Sequence, residues 1–133
     1  MFYRFIILIE NSGWDEIYYL CQRFKTDFII VAVPSKPPPP DATDIFSDRA
    51  TLTWQPPSND GGTAITGYHL ERSTNNSGRW VRITREPLKL LTYDALSLME
   101  DTNYEWRVVA VNARGESEPS EPCEFVAKDP WGK

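Results

Sequence analysis

Few residues of this 133-residue chain have the types and spacing that chemistry requires. Catalysis through a serine or cysteine nucleophile needs a histidine within reach, and the chain has one histidine, His69, with two cysteines, Cys21 and Cys123, far apart in sequence. The same three residues cannot supply a closed zinc site. We therefore expect no catalytic residue, no metal and no cofactor. His69 follows Tyr68 on an alternating stretch and is expected to face solvent or a sheet edge. The run GTAITGY, Gly62 to Tyr68, has the two glycines of a phosphate loop but lacks the Lys and Ser or Thr that hold phosphate and magnesium. Asp60, Gly61 and Gly62 read instead as a turn needing positive φ.

Three further stretches concern recognition. In NARGESEPS, Asn112 to Ser120, the tripeptide Arg114-Gly115-Glu116 is one methylene longer than the Arg-Gly-Asp that many integrins bind. The longer arm displaces the carboxylate, and a metal-bridged contact is sensitive to such placement, so no integrin binding is expected. Gly115 lies where the chain must reverse between a strand ending at Asn112 and another beginning near Cys123, and turn chemistry accounts for it. Asn75-Asn76-Ser77 spells a glycosylation sequon, which in a reducing compartment is only a polar hairpin. Glu116, Glu118, Glu121 and Glu124 crowd the last hairpin as a solvated face or as a surface for a basic partner.

The elements that position these residues follow from composition and pattern. With 41% apolar and 13% aromatic residues the chain can bury a core. A net charge of −5 with signs interspersed argues against nucleic-acid and anionic-membrane partners, and no small-molecule substrate is implied. Two distant cysteines give no disulfide framework, and free thiols fit a reducing compartment. The apolar run near Met1 is too short for a spanning helix and lacks a small-residue cleavage site. The expectation is a soluble chain, intracellular rather than secreted.

PSKPPPP, residues 34–40, reads as a linker, because consecutive prolines fix φ and favour an extended polyproline form. After it, from 41 to 128, short alternating stretches recur between turn signals, the pattern of an all-β sandwich. In RATLTWQPP, Ala50, Leu52 and Trp54 share one face and Pro56 and Pro57 end the strand. AITGYHLERS follows with Ile65, Tyr68 and Leu70. RWVRIT supplies Trp80 to Thr84, and LLTYDALSL supplies Tyr93, Ala95 and Leu98. In YEWRVVAVN, Tyr104, Trp106, Val108 and Ala110 point one way and Glu105, Arg107 and Val109 the other. With ATDIF before and CEFVA after, seven strands are predicted. Residues 1–33 differ. FIILI and FIIVAV look strand-like, and between them Trp14, Ile17, Tyr18, Cys21 and Phe24 recur at helical spacing behind Ser12 as N-cap and Asp15 three residues on. This extension is expected to be a segment docked on the sandwich, a fragment of a preceding unit, a poorly ordered stretch, or an artefact. The pairs Val31-Ala32 and Val126-Ala127 lie 95 residues apart, about the length of one sandwich, as in a tandem array. Residues 129–133 then read as the start of a linker to a following module.

These residues resemble the fibronectin type III family over about Pro37 to Pro130: Trp54 with two prolines after it, Asp60-Gly61-Gly62, Ile65, Tyr68, Glu71, Leu98 six residues before Tyr104, then RVVAVN and GESEPS. The order of these motifs, with the VAKDPW linker, is most similar to modules of titin, twitchin, projectin and myosin-binding protein C. The resemblance implies a seven-stranded immunoglobulin-like sandwich with Trp54, Tyr68, Leu70, Leu98, Tyr104, Trp106 and Val108 in its core. It also implies a tyrosine corner at Leu98 and Tyr104, where the Tyr hydroxyl bonds back to upstream backbone. The family's Gly after the leucine turn is absent from SLMEDTNY, so Met99 and Asp101 must accommodate the bend. The function implied is non-catalytic: a structural and protein-interaction module of a giant cytoplasmic filament protein of the sarcomere, in the A-band. Neighbouring modules and myosin of the thick filament are the implied partners. The loops Asn59-Asp60-Gly61-Gly62 and Arg114-Gly115-Glu116 are the expected partner-facing surface. The other function class is an extracellular adhesion or receptor module, which the sequon favours.

Overall fold

The computed structural model describes residues 4–8 and 27–131. Two five-residue strands, β1 (Arg4–Leu8) and β2 (Asp27–Val31), pair in parallel with Arg4 opposite Asp27 and Leu8 opposite Val31. The helix expected between Ser12 and Phe24 lies outside the described residues.

From Asp41 onward the chain is an all-β sandwich. One sheet has the order β3 (Asp41–Thr43), β4 (Ala50–Thr53), β7 (Thr92–Ala95), all antiparallel. The other runs β10 (Cys123–Val126), β8 (Asn103–Asn112), β5 (Ile65–Thr74), β6 (Val81–Arg82), and the short β9 (Gly115–Glu116) also pairs with β8. Strands β5 and β8, ten residues each, form the spine, with Tyr68 opposite Ala110 and Leu70 opposite Val108. Seven of these eight strands were expected. The eighth, β9, is two residues long and extends the last hairpin alongside β8.

Alternation explains the core, because successive side chains of a strand face opposite ways. From β4 come Ala50 and Leu52 with Trp54 just beyond, from β5 Tyr68 and Leu70, and from β8 Tyr104, Trp106, Val108 and Ala110; all are buried. Trp54 meets Tyr68 edge-on at 6.0 Å between ring centroids, an arrangement that suits the charge distribution of aromatic rings. Arg72 caps this face, its guanidinium 5.5 Å from the Tyr104 centroid and 5.7 Å from that of Trp106.

The segment after Pro87 closes the open side of the sandwich. Leu88 and Tyr68 exchange backbone hydrogen bonds at 2.8 and 2.9 Å, and the Leu91 carbonyl accepts from the Trp54 amide at 3.0 Å. One short stretch therefore ties both sheets. Gly67 permits this approach, since a Cβ there would lie 2.5 Å from Pro87.

Two expectations need correction. RWVRIT forms a strand only at Val81–Arg82, and His69 does not face solvent. It is 6% exposed on the outer face of the second sheet, opposite Val109, which is 2% exposed. Burial there comes from long-range cover: Thr84 bonds the His69 ring at 2.7 Å, and Glu116 arrives from β9 with Oε1 3.9 Å from His69 Nε2.

Candidate functional site

At the pole where the turns 59–62 and 112–116 meet, one side chain organises the backbone. Asn112, the last residue of β8, is 4% exposed. Its Nδ2 donates to the Ala32 carbonyl and to the Asp60 carbonyl, both at 2.7 Å. Its Oδ1 accepts from the amides of Arg114 at 2.8 Å and Gly115 at 3.1 Å. An amide that uses both donors and its acceptor avoids the cost of buried unpaired polar atoms. Gly115 supplies the reversal with φ of 151°.

The turn opposite is built by its own side chains. Asn59 Oδ1 accepts from the Gly61 amide at 2.8 Å, Asp60 Oδ1 accepts from the Gly62 amide at 2.9 Å, and both glycines have positive φ, 84° and 89°. Onto this turn comes the segment ahead of the proline run. The Ala32 amide donates to the Gly61 carbonyl at 2.7 Å, and the Ser35 amide donates to the Asn59 carbonyl at 2.9 Å. Ser35 Oγ accepts from the Asn59 amide at 3.0 Å. Lys36 pairs with Glu121 across the surface. Further along, Pro34, Pro37 and Pro40 are buried while Lys36, Pro38 and Pro39 are exposed. That period of three is the repeat of a polyproline helix laid with one ridge against the sandwich.

The outer face of the second sheet carries a chain of charges. Glu71 Oε1 accepts from Arg107 Nε at 2.8 Å, Glu71 Oε2 accepts from Arg82 Nη2 at 3.3 Å, and Arg82 Nη2 reaches Glu116 Oε2 at 3.1 Å. Arg107 also stacks 4.2 Å over the Trp80 ring. The hydrogen bond from Arg82 holds the Glu116 carboxyl below the usual carboxylate range, and Glu116 in turn raises Arg82. The carboxylate of the Arg114-Gly115-Glu116 tripeptide is thus bonded twice within its own sheet.

At the opposite pole the outgoing chain is also held. Asp129 Oδ1 accepts from the Ser47 amide at 3.1 Å, and Trp131 packs against Phe46 at 5.7 Å. Phe46 lies under Arg49, whose guanidinium is 4.6 Å from the ring centroid. Burial pushes the Cys123 thiol up to about 11, so it is a poor nucleophile near neutral pH. Among the described residues there is no group of three or more His, Cys, Asp or Glu placed to hold a metal ion.

The seven residues expected in the core are each at most 7% exposed. The structure brings the two expected partner-facing loops together at one pole and seats the chain's own segment 32–36 on them. Asn112, which joins all three pieces, was read only as the end of a strand. Its signal was the polar residue at the end of an otherwise apolar alternation. The sequon falls in a tight turn: Asn75 and Asn76 have φ of 48° and 53°, and the Ser77 amide donates to the Thr74 carbonyl at 3.0 Å.

A two-sheet antiparallel sandwich with Trp54 and Trp106 buried between the sheets, and with the Tyr104 hydroxyl accepting from the Met99 amide in the turn before β8, defines the immunoglobulin-like sandwich class. The chain belongs to the fibronectin type III domain family, which it matches over residues 35–126. It is 44% identical to cardiac-type myosin-binding protein C of Gallus gallus over 75% of this chain and 9% of that protein. The solved titin domains A168–A170 superpose with a TM-score of 0.69 at 32% identity, over 78% of this chain and 35% of that one. The twitchin kinase region from C. elegans superposes with a TM-score of 0.66 at 28% identity, over 73% of this chain and 17% of that one. The chain spans about a tenth of the length of the curated relatives it matches. It is a fibronectin type III module related to the muscle proteins myosin-binding protein C, titin and twitchin.

Proposed function

We propose that residues 41–128 form a non-catalytic spacer and protein-binding module of an intracellular filament-associated protein of muscle. Segment 34–40 is its incoming linker and 129–133 the start of its outgoing one. Its partners are neighbouring modules and the myosin of the thick filament, and its location is the A-band of the sarcomere. The observation that carries this reading is the 44% identity to a myosin-binding protein C. The structure supports it in that the outer face carries Trp80, Arg82 and Arg107, an aromatic residue and two arginines of the kind enriched in protein interfaces, held in place by Glu71 and Glu116.

Co-sedimentation of the chain with myosin filaments tests the reading. Binding that falls as ionic strength rises is expected, with the outer-face variant Arg107→Glu reducing it. Absence of the chain from the filament pellet at low salt overturns the thick-filament assignment. N-glycan on Asn75, found by mass spectrometry of protein from its native tissue, would overturn the intracellular one in favour of an adhesion module.

A further inference from the structure

We infer that the pole formed by residues 59–62 and 112–116 is a docking site for the chain's own incoming main chain, and that this docking fixes the direction from which the polypeptide enters the sandwich. The inference is independent of any muscle assignment, since it rests on geometry alone.

The site recognises backbone. Ala32 is held by its amide, which donates to the Gly61 carbonyl, and by its carbonyl, which accepts from Asn112. Ser35 is held by its amide and hydroxyl, both on Asn59. Two residues gripped by main-chain groups, three apart, leave the segment between them no freedom to swing. From Pro34 the buried proline ridge carries the same fixed direction to β3.

The fit is close enough to exclude one carbon atom. A Cβ on Gly61 would stand 2.1 Å from the Ala32 carbonyl oxygen, and its φ of 84° already favours glycine. At Gly115 a Cβ would come within 3.2 Å of Val33. Each turn presents a glycine where the incoming chain passes. The occupant is thus an extended segment whose residue at position 32 carries a backbone N–H to donate, and in this protein it is Ala32–Lys36. The segment passes over Gly61 and Gly115 of the two loops, while Asn59, Asp60, Gly62 and Glu116 stay exposed beside it.

Amide hydrogen exchange on the full chain, followed by NMR, tests this. In the parent, Ala32 and Ser35 are expected to be protected. Asn112→Asp keeps the acceptor for Arg114 and Gly115 but removes the donor to Ala32, and Gly61→Ala removes the space. Both should accelerate exchange at Ala32 and Ser35 by about tenfold or more relative to Val108 in the core. Gly78→Ala is the control, because Gly78 has φ of 74° with nothing within 4 Å of an added Cβ. It carries the same backbone strain and should leave the ratio unchanged. Ala32→Pro, read at Ser35, removes the donor without touching the sandwich and serves if either turn variant does not fold. Unprotected Ala32 in the parent, or an unchanged ratio in the variants, overturns the proposal.

Discussion

The Tyr104 hydroxyl accepts a hydrogen bond from the Met99 amide at 2.8 Å while Tyr104 as a whole is 3% exposed. The bond ties the start of β8 to the turn that brings the chain across from the other sheet, and Leu98 anchors the same turn through its amide on the Asp48 carbonyl at 2.9 Å. Removing the hydroxyl leaves the Met99 amide unpaired. Tyr104→Phe should lower stability by about 1–3 kcal/mol, the cost of an orphaned, partly buried donor. Urea denaturation with an unchanged midpoint would remove this bond from the account of the fold.

Trp54 is 2% exposed between Tyr68 and the Leu91 backbone. Trp54→Ala should cost about 3–5 kcal/mol through lost transfer energy and the cavity left behind. That is a large share of the ~5–15 kcal/mol holding a domain of this size. A thermal midpoint within about 2 °C of the parent would contradict the expected shift for such a loss.

Met99, expected to share the bend, stays out of the left-handed region, whereas Asp101 stands in it with φ of 61° and Ser97 at 57°. They let the chain turn without the family's glycine, and the Asp101 amide reaches the Ala127 carbonyl at 2.8 Å. A β-branched residue pays most in that conformation. Asp101→Val should cost about 1–2 kcal/mol by chemical denaturation, whereas Asp101→Gly should stay within about 0.5 kcal/mol of the parent. Equal stability of all three would show that the turn is not strained.

The Glu116 carboxyl has a folded pKa below its unfolded value because Arg82 bonds the ionised form. Its contribution is therefore complete above the unfolded pKa and is lost as pH falls through the folded one. Both side chains are more than a third exposed, at 36% for Arg82 and 44% for Glu116, so the pair is worth about 0.2–1 kcal/mol. Between pH 6 and pH 3 the parent should lose more stability than Glu116→Gln by that amount, and added salt should shrink the difference. Parallel pH curves for the two proteins would contradict the coupling.

The sheet strands were legible because each buried stretch alternates, as Ala50, Leu52 and Trp54 do. The tyrosine corner was legible through the spacing of Leu98 and Tyr104 and the motif resemblance. What alternation does not encode is cover supplied from afar. His69 occupies an outward position of its strand, yet Thr84, 15 residues on in sequence, and Glu116 from β9 lie against its ring. The pole was half legible: glycines and asparagines announced two turns. Their meeting place on Ala32 depends on a side chain whose role appears only when β8 and the incoming segment share space. The prolines at 34, 37 and 40 held the necessary spacing, and composition alone read them as part of a linker with no docking face.

The clasp on Ala32 has a mechanical consequence. β3 is three residues long and is the first strand of the sandwich in chain order. The grip of Asn112 and Gly61 lies ahead of it, and Asn112 ends a ten-residue strand bonded on both sides. Tension therefore enters the sturdiest strand first, as strain on a cable is taken by its clamp, and the fragile terminal strand is loaded only after the clamp lets go.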